Sequence, residues 1–153
     1  MAQILDGLPA SEGFAHGRVF LLEWGLPTVP HETVRPEEVA TEVERFHEAR
    51  TWAKERIHEL KVATEQRLGT MEARIFEPQL LMLDDPAVVA GTLRYIEENH
   101  LKAQRAFEWR MLELQTMWTR TSQPMVLDRL NDLEDVMIRV LNRLLGHHDP
   151  TDL

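Results

Sequence analysis

The feature that most constrains this chain is an apolar stripe at helical spacing between Pro36 and Gly69. Val39, Val43, Phe46, Ala53, Ile57, Leu60 and Thr64 recur at threes, fours and one seven, which is one face of an amphipathic helix. Pro36 followed by Glu37 and Glu38 marks the first turn. Proline loses nothing at the first helical position, and carboxylates suit the positive end of the helix dipole. Gly69 is the candidate C-cap. A helix of this length is expected to kink or split. Its single apolar face must be covered by other helices.

Four more helical patterns follow. Thr70 caps a second helix carrying Met71, Ile75, Leu81 and Met82, with Pro78 inside it as a kink. Asp84-Asp85-Pro86 is a stop and restart, with Asp85 as N-cap and Pro86 at the first position. A third helix carries Val89, Leu93 and Ile96 and ends near Asn99-His100. A fourth spans Lys102 to Thr121 and uses Ala103, Ala106, Trp109, Leu112 and Met117. The fifth begins after Pro124, and Val126, Leu130, Leu133, Val136, Val140 and Leu144 form the cleanest stripe of all, ending at Gly146. Met71, Met82, Met111, Met117 and Met137 read as core filler.

The first 35 residues have another character. Ile4-Leu5 and the run 19–22 are short and apolar, with Gly7, Pro9, Gly13 and Gly17 between or beside them, which reads as a strand pair. Gly25, Pro27 and Pro30 make 24–33 an extended connector. The expected fold is mainly α: an antiparallel helical bundle with a long first helix, kinked or straight, preceded by a short N-terminal β-strand pair. Residues 1–35 are strands and connector, 36–146 the helical unit, and 147–153 a polar tail expected to fray.

Composition narrows the function. The 153 residues carry a formal net charge of −9, which repels nucleic acid and anionic membranes, so neither is expected as a partner. Cysteine is absent, which removes thiol catalysis, disulfides and Cys-ligated zinc. No signal peptide and no membrane span is visible, and a cytoplasmic location is expected.

The candidate chemistry is thin. Glu44/His47 and Glu55/His58 have the Glu-x-x-His spacing of bundle di-iron sites. Both lie on one helix, about 16 Å apart, and flank the apolar stripe, so they read as surface residues; a metal-dependent bundle enzyme built on them is the outlying alternative. Ser11 is not in a nucleophile elbow, and the glycines form neither a dinucleotide fingerprint nor a phosphate loop. No catalytic residue and no metal ligand is assigned.

Three segments in this order resemble the N-terminal domain of enzyme I, the phosphoenolpyruvate-protein phosphotransferase of the bacterial sugar phosphotransferase system. They are the run 7–17, Gly-Leu-Pro-Ala-Ser-Glu-Gly-Phe-Ala-His-Gly; Glu42-Val-Glu-Arg-Phe46 with Ile-Phe-Glu-Pro-Gln-Leu-Leu-Met-Leu-Asp-Asp-Pro at 75–86; and the run 128–146 from Asp128 to Gly146. The resemblance implies a helical unit that docks HPr, the histidine phosphocarrier. It also implies a neighbouring α/β unit, to which the N-terminal strands belong, that carries the phosphorylated histidine. None of the seven histidines stands in that motif, so this chain by itself is expected not to transfer phosphate. Magnesium and phosphoenolpyruvate belong to full-length members, and no cofactor is expected here. The remainder of enzyme I is the other implied partner.

By motif position and ungapped spacing, the resemblance carries the docking surface onto Leu81, Met82, Asp85, Val88, Trp118, Val126, Arg129 and Asp132. An apolar centre with a charged rim is the anatomy of a transient interface. The chain departs from the family pattern at Thr70 and Met71, where acids are common, at Pro78, and at Gln79, where the family has histidine. Fewer acids weaken steering toward a basic carrier. The alternatives are a degenerate helical interaction module and a paralogue in a nitrogen-regulatory phosphotransfer branch.

Overall fold

The computed structural model describes residues 3–9, 12–19, 25–120 and 124–148. A 3₁₀ turn at Pro36–Glu38 leads into α1, Val39–Leu68, which runs unbroken for 30 residues. It is followed by α2 (Thr70–Ala73), a 3₁₀ turn (Arg74–Phe76), α3 (Glu77–Asp84), α4 (Pro86–Asn99), α5 (Ala103–Thr119) and α6 (Pro124–Leu145). Short connections fold the helices back on one another. α1 packs against every other helix from α2 to α6, α3 also against α4 and α6, and α5 against α4 and α6.

Local chemistry sets the boundaries. Gly69, at φ 114°, ends α1, a backbone region that side chains disfavour. Asp85 caps α4 by accepting from the Ala87 N–H at 2.7 Å, with Pro86 at the first position. At the end of α6, Gly146 has φ 74° and its N–H donates to Arg143 C=O, while His147 N–H donates to Asn142 C=O. That pair of bonds is the Schellman stop.

Two expectations about the second helix are corrected. Thr70 does not cap it; its hydroxyl donates to Glu65 Oε1, and Gly69 precedes the first turn. Pro78 does not kink a helix interior either. The chain breaks into a 3₁₀ turn first, and Pro78 falls in the first turn of α3, where a missing N–H leaves no bond unmade.

The N-terminal strand pair is not present among the described residues. The bridge found there is a single antiparallel one, Thr33 to Leu101. Ile4, Leu5, Leu8 and Val19 are all strongly exposed. A lone two-stranded hairpin has too little surface to bury to be stable in water, and here nothing covers its apolar residues. The rest of the second run, 20–22, lies outside the described residues. The connector does behave as an extended strap. Val34 N–H donates to His100 C=O and Lys102 N–H to Glu32 C=O. Arg105 also reaches back to Val29 C=O at 2.5 Å.

The core is one contiguous cluster. It takes Phe46, Ala49, Ala53 and Ile57 from α1, Met82 and Leu83 from α3, Val88 and Ile96 from α4, and Phe107, Met111 and Leu114 from α5. From α6 it takes Leu133, Val136, Met137, Val140, Leu141 and Leu144. Every residue of α6 from Val136 to Asn142 is buried, Arg139 and Asn142 included. Over these two turns a stripe of one face has become a helix enclosed on all sides.

A buried polar hub locks three helices. Glu42 Oε2 accepts from Arg45 Nη1 at 2.7 Å and from the Ala103 N–H, at the start of α5, at 2.8 Å. Arg45 also donates to Gln104 Oε1 and, at 2.9 Å, to Leu144 C=O at the end of α6. One carboxylate therefore caps a distant helix N-terminus and one guanidinium a distant C-terminus, each facing the favourable pole of the dipole.

Candidate functional site

The residues assigned to docking lie on α3, α4, α5 and α6, and burial divides them. Leu81 is 69% exposed, whereas Met82 and Val88 are 5% and 2% exposed and belong to the core. Successive positions on a short helix point in different directions, so Leu81 and Met82 cannot both face a partner. Asp85 is exposed and serves as the α4 cap. Trp118 is half-buried against the core, Val126 is half-buried, and Arg129 is exposed.

Asp132 belongs to a polar seam between α3 and α6. The Gln79 side chain is buried and donates to Asp135 Oδ2 at 3.3 Å. Asp132 stands beside this pair. Burial pushes its carboxyl above the ordinary range; the Gln79 amide opposes this and the neighbouring Asp135 adds to it. Gln79 Oε1 is left without a hydrogen-bond partner. Gln79, which stands where the family pattern has histidine, is thus an internal tie between the two helices. The seam lays α3 against α6.

The exposed surface contains residues that the periodicity reading assigned to the core. Met71 is 76% exposed and Ile75 is 63% exposed, and both precede Leu81 on the same α2–α3 segment. Met117 near the end of α5 is exposed too, while Met82, Met111 and Met137 are buried. The 3₁₀ turn at Arg74–Phe76 resets the helical phase, so a 3.6-residue stripe drawn through it misplaces Met71 and Ile75. Around them stand Arg74 and Glu77, paired at 3.7 Å, and Lys61, which holds Glu77 at 3.2 Å. The α3 C-terminus is clamped by α1: Arg50 donates to Leu83 C=O, and Lys54 pairs with Asp84 at 2.6 Å.

Among the described residues no three His, Asp or Glu side chains converge as a metal site. His47 and Glu55 line a shallow surface depression beside Trp52, with Arg143 stacked over the Trp52 ring at 5.1 Å. His58 is exposed. No helix among the described residues is long and apolar enough to cross a membrane.

The family model for "PEP-utilising enzyme, N-terminal" matches residues 6–129. The chain belongs to this family. Its relatives include phosphoenolpyruvate-protein phosphotransferases from Bacillus subtilis (31% identical, over 97% of this chain and 26% of that protein) and Haemophilus influenzae (26% identical, 94% and 25%). A solution NMR structure of an Enzyme I protein, nEIt, superposes with a TM-score of 0.73 at 25% identity, over 78% of this chain and 48% of that one. The chain therefore spans about a quarter of the length of the curated relatives it matches. It is an N-terminal domain of the enzyme I type, with the helical bundle of that family, and the family's Glu-x-x-Arg-Phe run here builds the Glu42–Arg45 hub rather than a surface.

Proposed function

We propose that this domain docks an HPr-type histidine phosphocarrier in the phosphoenolpyruvate-dependent sugar phosphotransferase system. The phosphoryl group would come from a histidine in the remainder of enzyme I, in the cytoplasm. The observation that carries the reading is the exposure of Met71, Ile75 and Leu81 along the α2–α3 segment, with Arg129 exposed on α6, the helix against which α3 packs. Soluble proteins rarely display such rows without a partner. Leu81 makes the contact; Met82 and Val88 support it from beneath. Asp85 caps α4, Trp118 and Val126 pack the flank, and Asp132 stands beside the Gln79–Asp135 bond that ties α3 to α6. Magnesium and phosphoenolpyruvate act elsewhere in this reading: the acidic residues described here do not converge as a donor set, and no step is routed through them.

The test is an NMR titration of the labelled chain with HPr. Amide shifts confined to 71–81 and to the start of α6, weakened in Leu81→Asp, are expected. No shifts at millimolar HPr in a folded chain would refute docking.

A further inference from the structure

A second surface is built by α4 and α5 rather than by the α2–α3 segment. α4 and α5 enclose a groove of about 540 Å³, floored by Tyr95 and Trp109 and edged by Arg94, Arg110 and Arg120. We propose that this groove is a docking site for an acidic, apolar-anchored segment of a partner protein.

Three observations support it. The first is charge. In a chain of net charge −9, the groove gathers three guanidiniums against one carboxylate, Glu113. Glu113 is already engaged by Arg110 at 2.9 Å and by the Tyr95 hydroxyl. Arg94 and Arg120 have no ion pair among the described residues, although Glu97 and Glu98 lie one turn beyond Arg94. Two exposed cations without a contact ion pair, Arg94 feeling Glu113 only at longer range, attract an anionic partner.

The second is shape. Trp109, Leu112, Thr116, Met117 and Arg120 follow one another along one face of α5. Eleven residues of helix extend about 16 Å, the length of a short helical or extended segment and longer than a compact ion needs. Leu112 and Met117 are both exposed along this line and can receive apolar anchors.

The third is preorganisation. Arg110 lies across α4 and donates to Ala87 C=O at 2.7 Å. It fits because residue 91 is glycine: a Cβ there would stand 2.3 Å from Arg110 Nε and 2.5 Å from Cδ. Trp109 is held edge-on to both Tyr95 and His31. A floor fixed before binding loses little entropy when a partner arrives.

The experiment uses the full chain, labelled, and two synthetic 14-residue amphipathic peptides. One carries glutamates along one face and leucine and phenylalanine on the other; its counterpart carries lysines in place of the glutamates. The glutamate peptide is expected to shift the Trp109 indole and the amides of Leu112 to Arg120, with an affinity that falls as salt is added. The Arg94→Glu/Arg120→Glu chain should bind about tenfold more weakly, since two exposed pairs are lost and two repulsions gained. Both arginines are exposed, so the fold should survive; Leu112→Ser, which keeps the charges, should also weaken binding. Leu81→Asp should leave peptide binding unchanged, which separates this site from carrier docking. No shift at millimolar peptide, equal binding of the lysine peptide, or unchanged binding by the charge-reversed chain would each overturn the proposal. So would groove shifts that appear on concentrating the chain alone, because a second copy would then be the occupant.

Discussion

Removing the Glu42 carboxylate should destabilise the fold far more than its place on a helix suggests. The same oxygen, Oε2, accepts from Arg45 and from the Ala103 backbone, and Glu42 is only 6% exposed. In Glu42→Ala the Ala103 N–H is left buried without an acceptor, a cost of about 1–3 kcal/mol. The charge-assisted bond to Arg45 is worth a further 1.5–3 kcal/mol at most, roughly, where fully buried. Arg45 is a third exposed and keeps Gln104 and Leu144 as acceptors, so the lower half of that range applies. The sum is about 3 kcal/mol, or about 6–12 °C in Tm for a domain of this size. Glu42→Gln isolates the charge. Its single amide oxygen can still accept from both donors, so the loss should be about 1 kcal/mol. Urea unfolding followed by tryptophan fluorescence measures both. An Ala variant within about 0.5 kcal/mol of the parent, the range of an ordinary surface change, would refute the hub. So would a Gln variant as damaging as the Ala one.

Three other outcomes follow from the geometry. Gly91→Ala should lower stability by about 1 kcal/mol despite the gain in helix propensity, because the new methyl displaces Arg110 from Ala87 C=O and Glu113; a more stable variant in thermal melts would show that Arg110 moves aside freely. Leu81→Asp should weaken the HPr-induced shifts while changing the urea midpoint little, since Leu81 is exposed; unaltered carrier affinity would remove Leu81 from the docking face. The raised Asp132 pKa gives a signed pH effect. The stability it contributes is fully present below the ordinary aspartate value, about 4, and is lost as pH rises through the higher folded value. Asp132→Asn should therefore gain on the parent between acid and neutral pH, and parallel stability profiles would contradict that.

Much of the fold was legible because its boundaries are local events. Pro36 with its two glutamates, Gly69, Asp85-Pro86 and Gly146 each act through one residue's own dihedrals or side chain, and each stop or start stands where that chemistry places it. The N-terminal strands failed for the opposite reason. A strand is completed by a partner, and apolar alternation says nothing about whether one is present. The site was less legible than the fold. Motif position could place Leu81, Met82 and Val88 together, but only packing separates an exposed leucine from two core neighbours. Nothing in the sequence marked Met71 and Ile75 as surface, because the 3₁₀ turn that turns them outward is itself a response to packing against α1.

The sequence by itself thus determined the helical class, most helix ends, the acidic balance and the family, but not the break of the second helix into α2, a 3₁₀ turn and α3. Those follow from hydrogen bonding and side-chain volume within a few residues. The tertiary structure decided what contacts across the chain settle. It enclosed the 136–142 stretch of α6 on every side, sent Glu42 to cap a helix 61 residues away and tied α3 to α6 through Gln79. It also gathered three arginines of an acidic chain into one groove. Periodicity reports which face of a helix is apolar; it does not report which other helix, or which partner, that face will meet.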